Sequence, residues 1–367
     1  MGSVWGNILK ISVFGESHGE CIGIVIDNFP HGLKIDHDHI SAQMRRRAPG
    51  LSPGLSTSRA EDDSPVIYSG VLKGFTTGAP ICAIIKNTNR RSEDYQHVLR
   101  KPRPSHADLP AHRKYGGFED GRGGGHFSGR LTAPIVFAGA LCSQFLQKYG
   151  IDVFSHIKNI GEVYDDTPDY TRFPDDISDI LKSERLPFIN KAKQRQASEL
   201  IEKYKKEGNS VGGAVECIIK NMPTSLGSPI FSSVESSLAS ILFSIPGVKA
   251  VEFGAGTDFS ALDAKRANDE YYYDESGNIK TKTNNNGGIL GGITTGMPVV
   301  FTVTLKPTPS IYSAQNTVDL IDGCDTKINI EGRHDPCIAV RAVPVTESAA
   351  MIAVMDMILC GGEIGGK

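Results

Sequence analysis

The sequence predicts an α+β fold in one large domain spanning residues 1–367, and three observations predict it. Strand-like and helix-like segments alternate irregularly, without the steady β-α-β beat of a doubly wound parallel sheet. At 367 residues length alone would suggest two domains, but no Pro/Ser-rich linker or block of like charge divides the chain. The Gly-rich stretches stand beside polar motif residues, not between self-contained units.

Ile8 to Phe14 alternates apolar with polar residues and reads as a strand, followed through a Gly15–Gly19 turn by a second strand-like run, Ile22 to Ile26. Asp36 is an N-cap for a helix through about Arg47, closed by Pro49-Gly50. Val66 to Val71 and Pro80 to Lys86 read as further strands. Asn87 to Arg130 reads as mostly loop, because Pro102, Pro104, Pro110 and many glycines disfavour long regular elements. Ala133 to Tyr149 is apolar on nearly every side and closes on Gly150, which predicts a buried helix. Asn190 to Glu207 is charged and amphipathic, closes on Gly208, and predicts a surface helix. Val211 to Ile219, Val248 to Phe253 and Val299 to Leu305 read as strands, and Glu347 to Cys360 as a second apolar helix.

Composition narrows the function classes. A net charge of −3 favours neither nucleic acid nor a membrane surface. Lys86 to Arg130 is the exception, with ten Lys/Arg against five acids and four histidines, the makings of a local anion site. Seven scattered cysteines with no Cys-x-x-Cys pair suit free thiols in a reducing cytoplasm. There is no basic-then-apolar leader, Gly6 breaks the myristoylation pattern, and no uncharged apolar run approaches the ~20 residues of a spanning helix. His37 and His39 lie two apart and point to different helix faces, so no metal site is assigned.

Four motifs carry chemistry. In Gly15-Glu16-Ser17-His18-Gly19 the glycines permit a tight turn with Ser17 and His18 at its tip, and an imidazole exchanges protons readily near neutral pH. In Arg103-Pro104-Ser105-His106-Ala107-Asp108 a second imidazole sits in a proline-stiffened stretch beside a carboxylate that would orient it; two such histidines make an acid/base pair. Arg122-Gly123-Gly124-Gly125-His126-Phe127-Ser128-Gly129-Arg130 offers bare amides that close on a phosphate or a flat ring, just ahead of an apolar helix. It has neither Walker A nor dinucleotide-fold spacing. The fourth is Gly332-Arg333-His334-Asp335-Pro336. Lys306-Pro307-Thr308-Pro309-Ser310 adds a cation and two hydroxyls at a strand end, and the Asn284–Gly292 loop would let backbone approach a ligand. Each stretch has a plain structural reading too: a self-satisfied Ser-His turn, a histidine capped by Asp108, a Gly-rich surface loop, a salt-bridged turn, an edge-strand terminator.

Taken together the four motifs resemble the signature regions of chorismate synthases, the last running on to Glu347-Ser348-Ala349. The resemblance implies a β-α-β sandwich core, a cytoplasmic homotetramer, and the anti-1,4-elimination of phosphate from 5-enolpyruvylshikimate 3-phosphate to give chorismate, with reduced FMN required but not consumed. By position it assigns catalysis to His18, His106 and Asp335: His18 to the departing phosphate, His106 to the reduced flavin, Asp335 to the flavin edge. It assigns FMN contacts to His126, Phe127, Ser128, Pro246, Gly247, Gly291, Lys306, Pro307, Thr308, Pro309, Ser310 and Arg333, and substrate contacts to Ser17, Arg47, Arg103 and Arg130. Arginine forks suit a substrate bearing two carboxylates and a phosphate. Some members reduce the flavin with NADPH and others use an external source; lacking an obvious added segment, this chain reads as the latter. It departs from the common pattern at His126-Phe127, where many members have Arg-Ser, at Pro53, where they have a second arginine, and at Asn28, where Gly or His is common. Two other readings are a non-catalytic anion or nucleic-acid binder on the basic segment, whose aromatics form no stacking pattern, and a flavin oxidoreductase that consumes reductant.

Overall fold

The computed structural model describes residues 2–49, 63–87, 100–330 and 334–361. Two five-stranded antiparallel sheets enclose a layer of helices. The first sheet runs Val4–Trp5, Lys10–Gly15, Cys21–Asp27, Ile81–Lys86, Val66–Ser69 in spatial order. The second runs Val248–Phe253, Val299–Leu305, Gly213–Lys220, Asp152–Ile160, Val163–Tyr164. Thr132–Leu146 and Ala339–Gly361 pack on one another and against strands of both sheets, so the expected β-α-β sandwich is what the chain forms.

The middle layer explains why these two helices are apolar on every side. Each has a sheet above or below it and helices beside it, so no face is left for polar residues. Counted with its flanking 3₁₀ turns as Gly129–Tyr149, the first is, like Ala339–Gly361, long and apolar enough to cross a membrane, yet 89% of each apolar window is buried inside the protein; sandwiching accounts for their composition. They approach closely at Gly139, where a methyl group would stand 2.5 Å from Ser348 Cα, a distance only glycine permits. The helix His37–Arg47 joins the layer through Ile40, Met44 and Arg47. As expected, the Asp36 carboxylate caps it, accepting from the backbone N–H groups of Asp38 (2.9 Å) and His39 (3.0 Å).

Three expectations need correction. The Asn87–Arg130 stretch contains a helix, Asp108–Tyr115, because Pro110 lies in the first turn, where a missing N–H costs nothing. The last helix begins at Ala339, eight residues before Glu347, and carries Pro344 within it; that proline hides the true start from pattern reading. The strand Asp152–Ile160 and the helices Ile177–Ser183 and Val234–Leu242 were not anticipated. Asn28 adopts a positive φ of 60°, which asparagine tolerates, and its amide donates to the Ile8 carbonyl (2.9 Å).

On the second sheet, His156 lies buried between two carboxylates, with Nδ1 2.9 Å from Asp165 Oδ2 and Nε2 3.0 Å from Glu216 Oε1. Burial pulls its pKa down, but the two hydrogen bonds and charges outweigh burial and raise it. Glu216 also accepts from Tyr170 Oη (2.7 Å) and faces Lys158 Nζ (3.2 Å). Against the penalty of burial, these partners bring its carboxyl down to about 2.

Candidate active site

One cleft of about 490 Å³ opens between the middle layer and the ends of both sheets, within the range of cofactor-sized sites. Its walls come from five sequence-distant places: the Ser17 turn, the end of the first helix at Arg47, residues 103–107, residues 123–132, and a far side built from 243–248, 305–310 and 334–345. Phe243, Ile245, Val248, Leu305, Ile338 and Val345 make one end apolar, while Arg47, Arg130, Lys306 and Arg341 make the rest cationic.

The three glycines hold the two histidines. Gly123, Gly124 and Gly125 have φ of 59°, 83° and 52°, a left-handed run closed to other residues except at a cost of about 1–2 kcal/mol each. A methyl group on Gly123 would meet His18 Cδ2 at 2.5 Å, Nε2 at 2.6 Å and Ser17 Oγ at 3.0 Å, and one on Gly124 would meet His106 Cε1 at 3.1 Å and Nε2 at 3.2 Å. The loop thus lies flat against both imidazoles. Its closure is fixed by Ser17 N–H donating to the Gly125 carbonyl (3.1 Å). His18 is buried behind Gly123 and does not line the cleft, whereas Ser17 and His106 do.

His106 is oriented through Nδ1, 2.6 Å from Asp108 Oδ1. Asp108 also takes the Arg103 guanidinium in a two-pronged contact, Nε to Oδ2 and Nη2 to Oδ1, both 2.8 Å. Burial would raise the Asp108 pKa, but hydrogen bonds from Arg103 and His106 hold it well below the ordinary carboxylate range. Arg103 lines the cleft, yet its fork is spent on Asp108, and Nη1 lies 3.4 Å from Ser310 Oγ. Its visible work is to position His106.

Arg47 and Arg130 share one carboxylate, Asp63, which bonds Arg47 Nη1 and Arg130 Nη1. Burial of Asp63 is overcome first by Arg47 and then by Arg130, so its pKa is lowered. Arg47 Nε further donates to Thr132 Oγ1 (3.1 Å), and Arg130 Nε to Asn87 Oδ1 (3.1 Å). Asp335 lines the cleft and receives Arg341 Nη1 at 2.7 Å, while Arg341 Nε donates to the Arg47 carbonyl at 3.0 Å. Arg341 therefore joins the last motif to the first helix.

Most residues expected to touch flavin meet in this cleft: His126, Phe127, Ser128, Pro246, Gly247 and Lys306 to Ser310 all line it. The His126 ring is already committed, with Nδ1 2.9 Å from the Gly15 carbonyl oxygen and Nε2 3.0 Å from Ser3 Oγ. Ser128 Oγ accepts from the Arg130 N–H at 3.3 Å. Gly291 does not line the cleft; it sits in the turn between Ile289–Leu290 and Ile293–Thr294. Arg333 and Pro53 lie outside the described residues. Asp63, Thr132, His334 and Arg341 were missed as site residues. Only His334, inside a quoted motif, carried a sequence signal, since the others follow no pattern of glycine or paired polar residues.

The chorismate synthase family model matches residues 9–359. This chain belongs to the chorismate synthase family. A chorismate synthase of Pyrococcus abyssi is 45% identical over 96% of this chain and 97% of its own length. One from Dehalococcoides mccartyi is 44% identical over 99% and 98%, and one from Methanocaldococcus jannaschii 40% identical over 99% and 97%. A solved structure, "Crystal Structure of Chorismate Synthase", superposes with a TM-score of 0.74 at 25% identity, covering 97% of this chain and 93% of the other. Chorismate synthases are carbon–oxygen lyases of the shikimate pathway, the route to the aromatic amino acids.

Proposed function

We propose that this cleft binds reduced FMN together with 5-enolpyruvylshikimate 3-phosphate and eliminates phosphate by anti-1,4-elimination. The observation that carries the proposal is the Gly123–Gly125 loop pressed against two imidazoles at the rim of an arginine-lined cleft. The residues present fit a flavin mononucleotide: an apolar end accepts a flat ring, and Lys306 supplies a cation for a phosphate. Thr308 Oγ1 is buried in the wall with no hydrogen-bond partner among the described residues, an orphan hydroxyl that costs about 1–3 kcal/mol until something bonds it. Pro246, Gly247 and Lys306 to Ser310 would hold the cofactor, with His126, Phe127 and Ser128 closing the other side. The flavin, when bound, supplies electron density that helps phosphate depart and recovers it as hydrogen is lost.

The chain's own groups do the rest. Arg47 and Arg130 supply the positive charge that attracts the substrate oxyanions, with Asp63 holding the two guanidinium groups side by side. His18, set by Gly123 just behind the cleft wall at Ser17, protonates or hydrogen-bonds the departing phosphate. His106, oriented by Asp108 and Arg103, acts at the flavin, and Asp335, held by Arg341, stands where the substrate hydrogen leaves. Burial of this cluster strengthens each charge interaction relative to water.

The wider reading includes one domain over the whole chain, a homotetramer in the cytoplasm, Arg333 as a further flavin contact, and an external flavin reductant in preference to NADPH. FMN titration by fluorescence, with and without the enolpyruvyl substrate, tests the site. Tighter flavin binding with substrate present supports it, and no binding in either condition rejects it.

A further inference from the structure

The first helix ends in three arginines, and the catalytic cleft uses only Arg47. Arg45 and Arg46 border a second, smaller cleft of about 150 Å³, together with Lys182 and Arg185 and the apolar Val340 and Val343. We propose that this second cleft binds a small phosphate-type oxyanion, an inference that goes beyond the function proposed above and does not depend on it.

Charge accounting supports the proposal. Arg46 is neutralised by Glu347, with Nη1 2.5 Å from Oε2 and Nη2 3.0 Å from Oε1, and Lys182 by Asp152 at 2.7 Å. Glu184, the acid in the wall, is taken by Lys191 Nζ (2.7 Å) and Gln194 Nε2 (3.1 Å). Arg45 and Arg185 have no carboxylate partner among the described residues. Instead Arg185 Nη1 donates to the Arg45 carbonyl at 3.0 Å, which brings one cation onto the backbone of another. The crowding of cations is felt nearby. Arg185 is held below its ordinary value by desolvation and then by Arg46 and Arg45. His39 is held down by burial first, and Lys182 and Arg46 add to that against the pull of Asp36.

Two guanidinium groups without a carboxylate partner among the described residues balance one dianion, and their planar donors match tetrahedral oxygens. The second cleft is less than a third the volume of the first, a size that suits a small ion with part of its hydration. The second cleft also shares structure with the first, since Val343 and Pro344 line one while Arg341, Ala342 and Val345 line the other.

Crystals of the full chain soaked in tungstate, a heavy phosphate analogue, test the assignment. Anomalous density is expected between Arg45 and Arg185 in the wild type, separate from any in the catalytic cleft, and absent in R45Q/R185Q at the same soak. Calorimetric titration with inorganic phosphate at constant ionic strength should show one fewer phosphate per chain in that variant, or affinity at this site reduced about tenfold or more, the usual cost of a lost charged hydrogen bond. Density confined to the catalytic cleft, unchanged stoichiometry and affinity in the variant, or equal displacement by chloride overturns the proposal. Should the double variant not fold, the wild-type soak decides alone. Competition separates the sources: displacement of tungstate by methyl phosphate identifies the phosphate end of a larger molecule, and displacement by inorganic phosphate alone identifies the free ion.

Discussion

Replacing Gly123 with alanine should damage catalysis far more than stability. The backbone there has φ of +59°, so an L-residue pays about 1–2 kcal/mol of strain. The added methyl would sit 2.5 Å from His18 Cδ2, where carbon atoms prefer about 3.5–4.0 Å, so the ring must retreat by about 1 Å. A misplacement of that size costs on the order of 100-fold in rate, equivalent to about 2.7 kcal/mol of barrier. Initial rates of phosphate release at saturating substrate, alongside thermal melts, read the two terms separately. Gly277 is the control: its φ is +79° but nothing lies within 4 Å, so Gly277→Ala carries the strain without displacing a side chain. G123A should lose about 100-fold in kcat while G277A keeps full activity with a comparable drop in Tm. Wild-type turnover in G123A, or equal losses in both variants, would refute the claim that the loop positions His18.

Gly124→Ala has a milder clash, 3.1 Å from His106 Cε1, so its rate should fall by about tenfold, between wild type and G123A. Asp108→Asn removes the group that fixes both Arg103 and His106; it should cost about 3 kcal/mol of stability at pH 7, as breaking a buried pair does, measured by denaturant unfolding. Because the folded Asp108 pKa is depressed, its contribution is present above about pH 4 and lost as pH falls through the folded value, so the mutant and wild-type stabilities should converge in acid. His156 has the opposite sign: its pKa is raised, so its stabilisation is complete below about pH 6.5 and lost as pH rises through the folded value. Unfolding curves for wild type and His156→Asn should therefore approach one another in alkali. Arg341→Lys keeps the charge but not the fork that spans Asp335 and the Arg47 carbonyl, and steady-state rates should fall about tenfold, the scale of one lost charged hydrogen bond.

Much of the architecture was legible because its signals are local. Asp36 as a cap, Gly150 and Gly208 in left-handed conformation after their helices, and the strands Cys21–Asp27, Ile81–Lys86 and Val299–Leu305 all follow from patterns within a dozen residues. Pro344 obscured a helix start because proline is ordinarily a breaker, and the sandwich around it supplies the packing that overrides that preference. At the site, glycine and histidine marked the loops, since only glycine permits the left-handed run at Gly123–Gly125. Asp63 and Arg341 were invisible for the converse reason. Asp63 joins Arg47 to Arg130, 67 positions further along the chain than Asp63 itself, and Arg341 joins Asp335 to the Arg47 carbonyl 294 positions away, and no spacing rule announces such contacts.

The account rests most directly on anaerobic phosphate release from 5-enolpyruvylshikimate 3-phosphate with reduced FMN. It predicts many turnovers per flavin, with chorismate and phosphate formed in equal amounts and the flavin still reduced at the end. Release no faster than a protein-free control, or one flavin oxidised for every product formed, would contradict it.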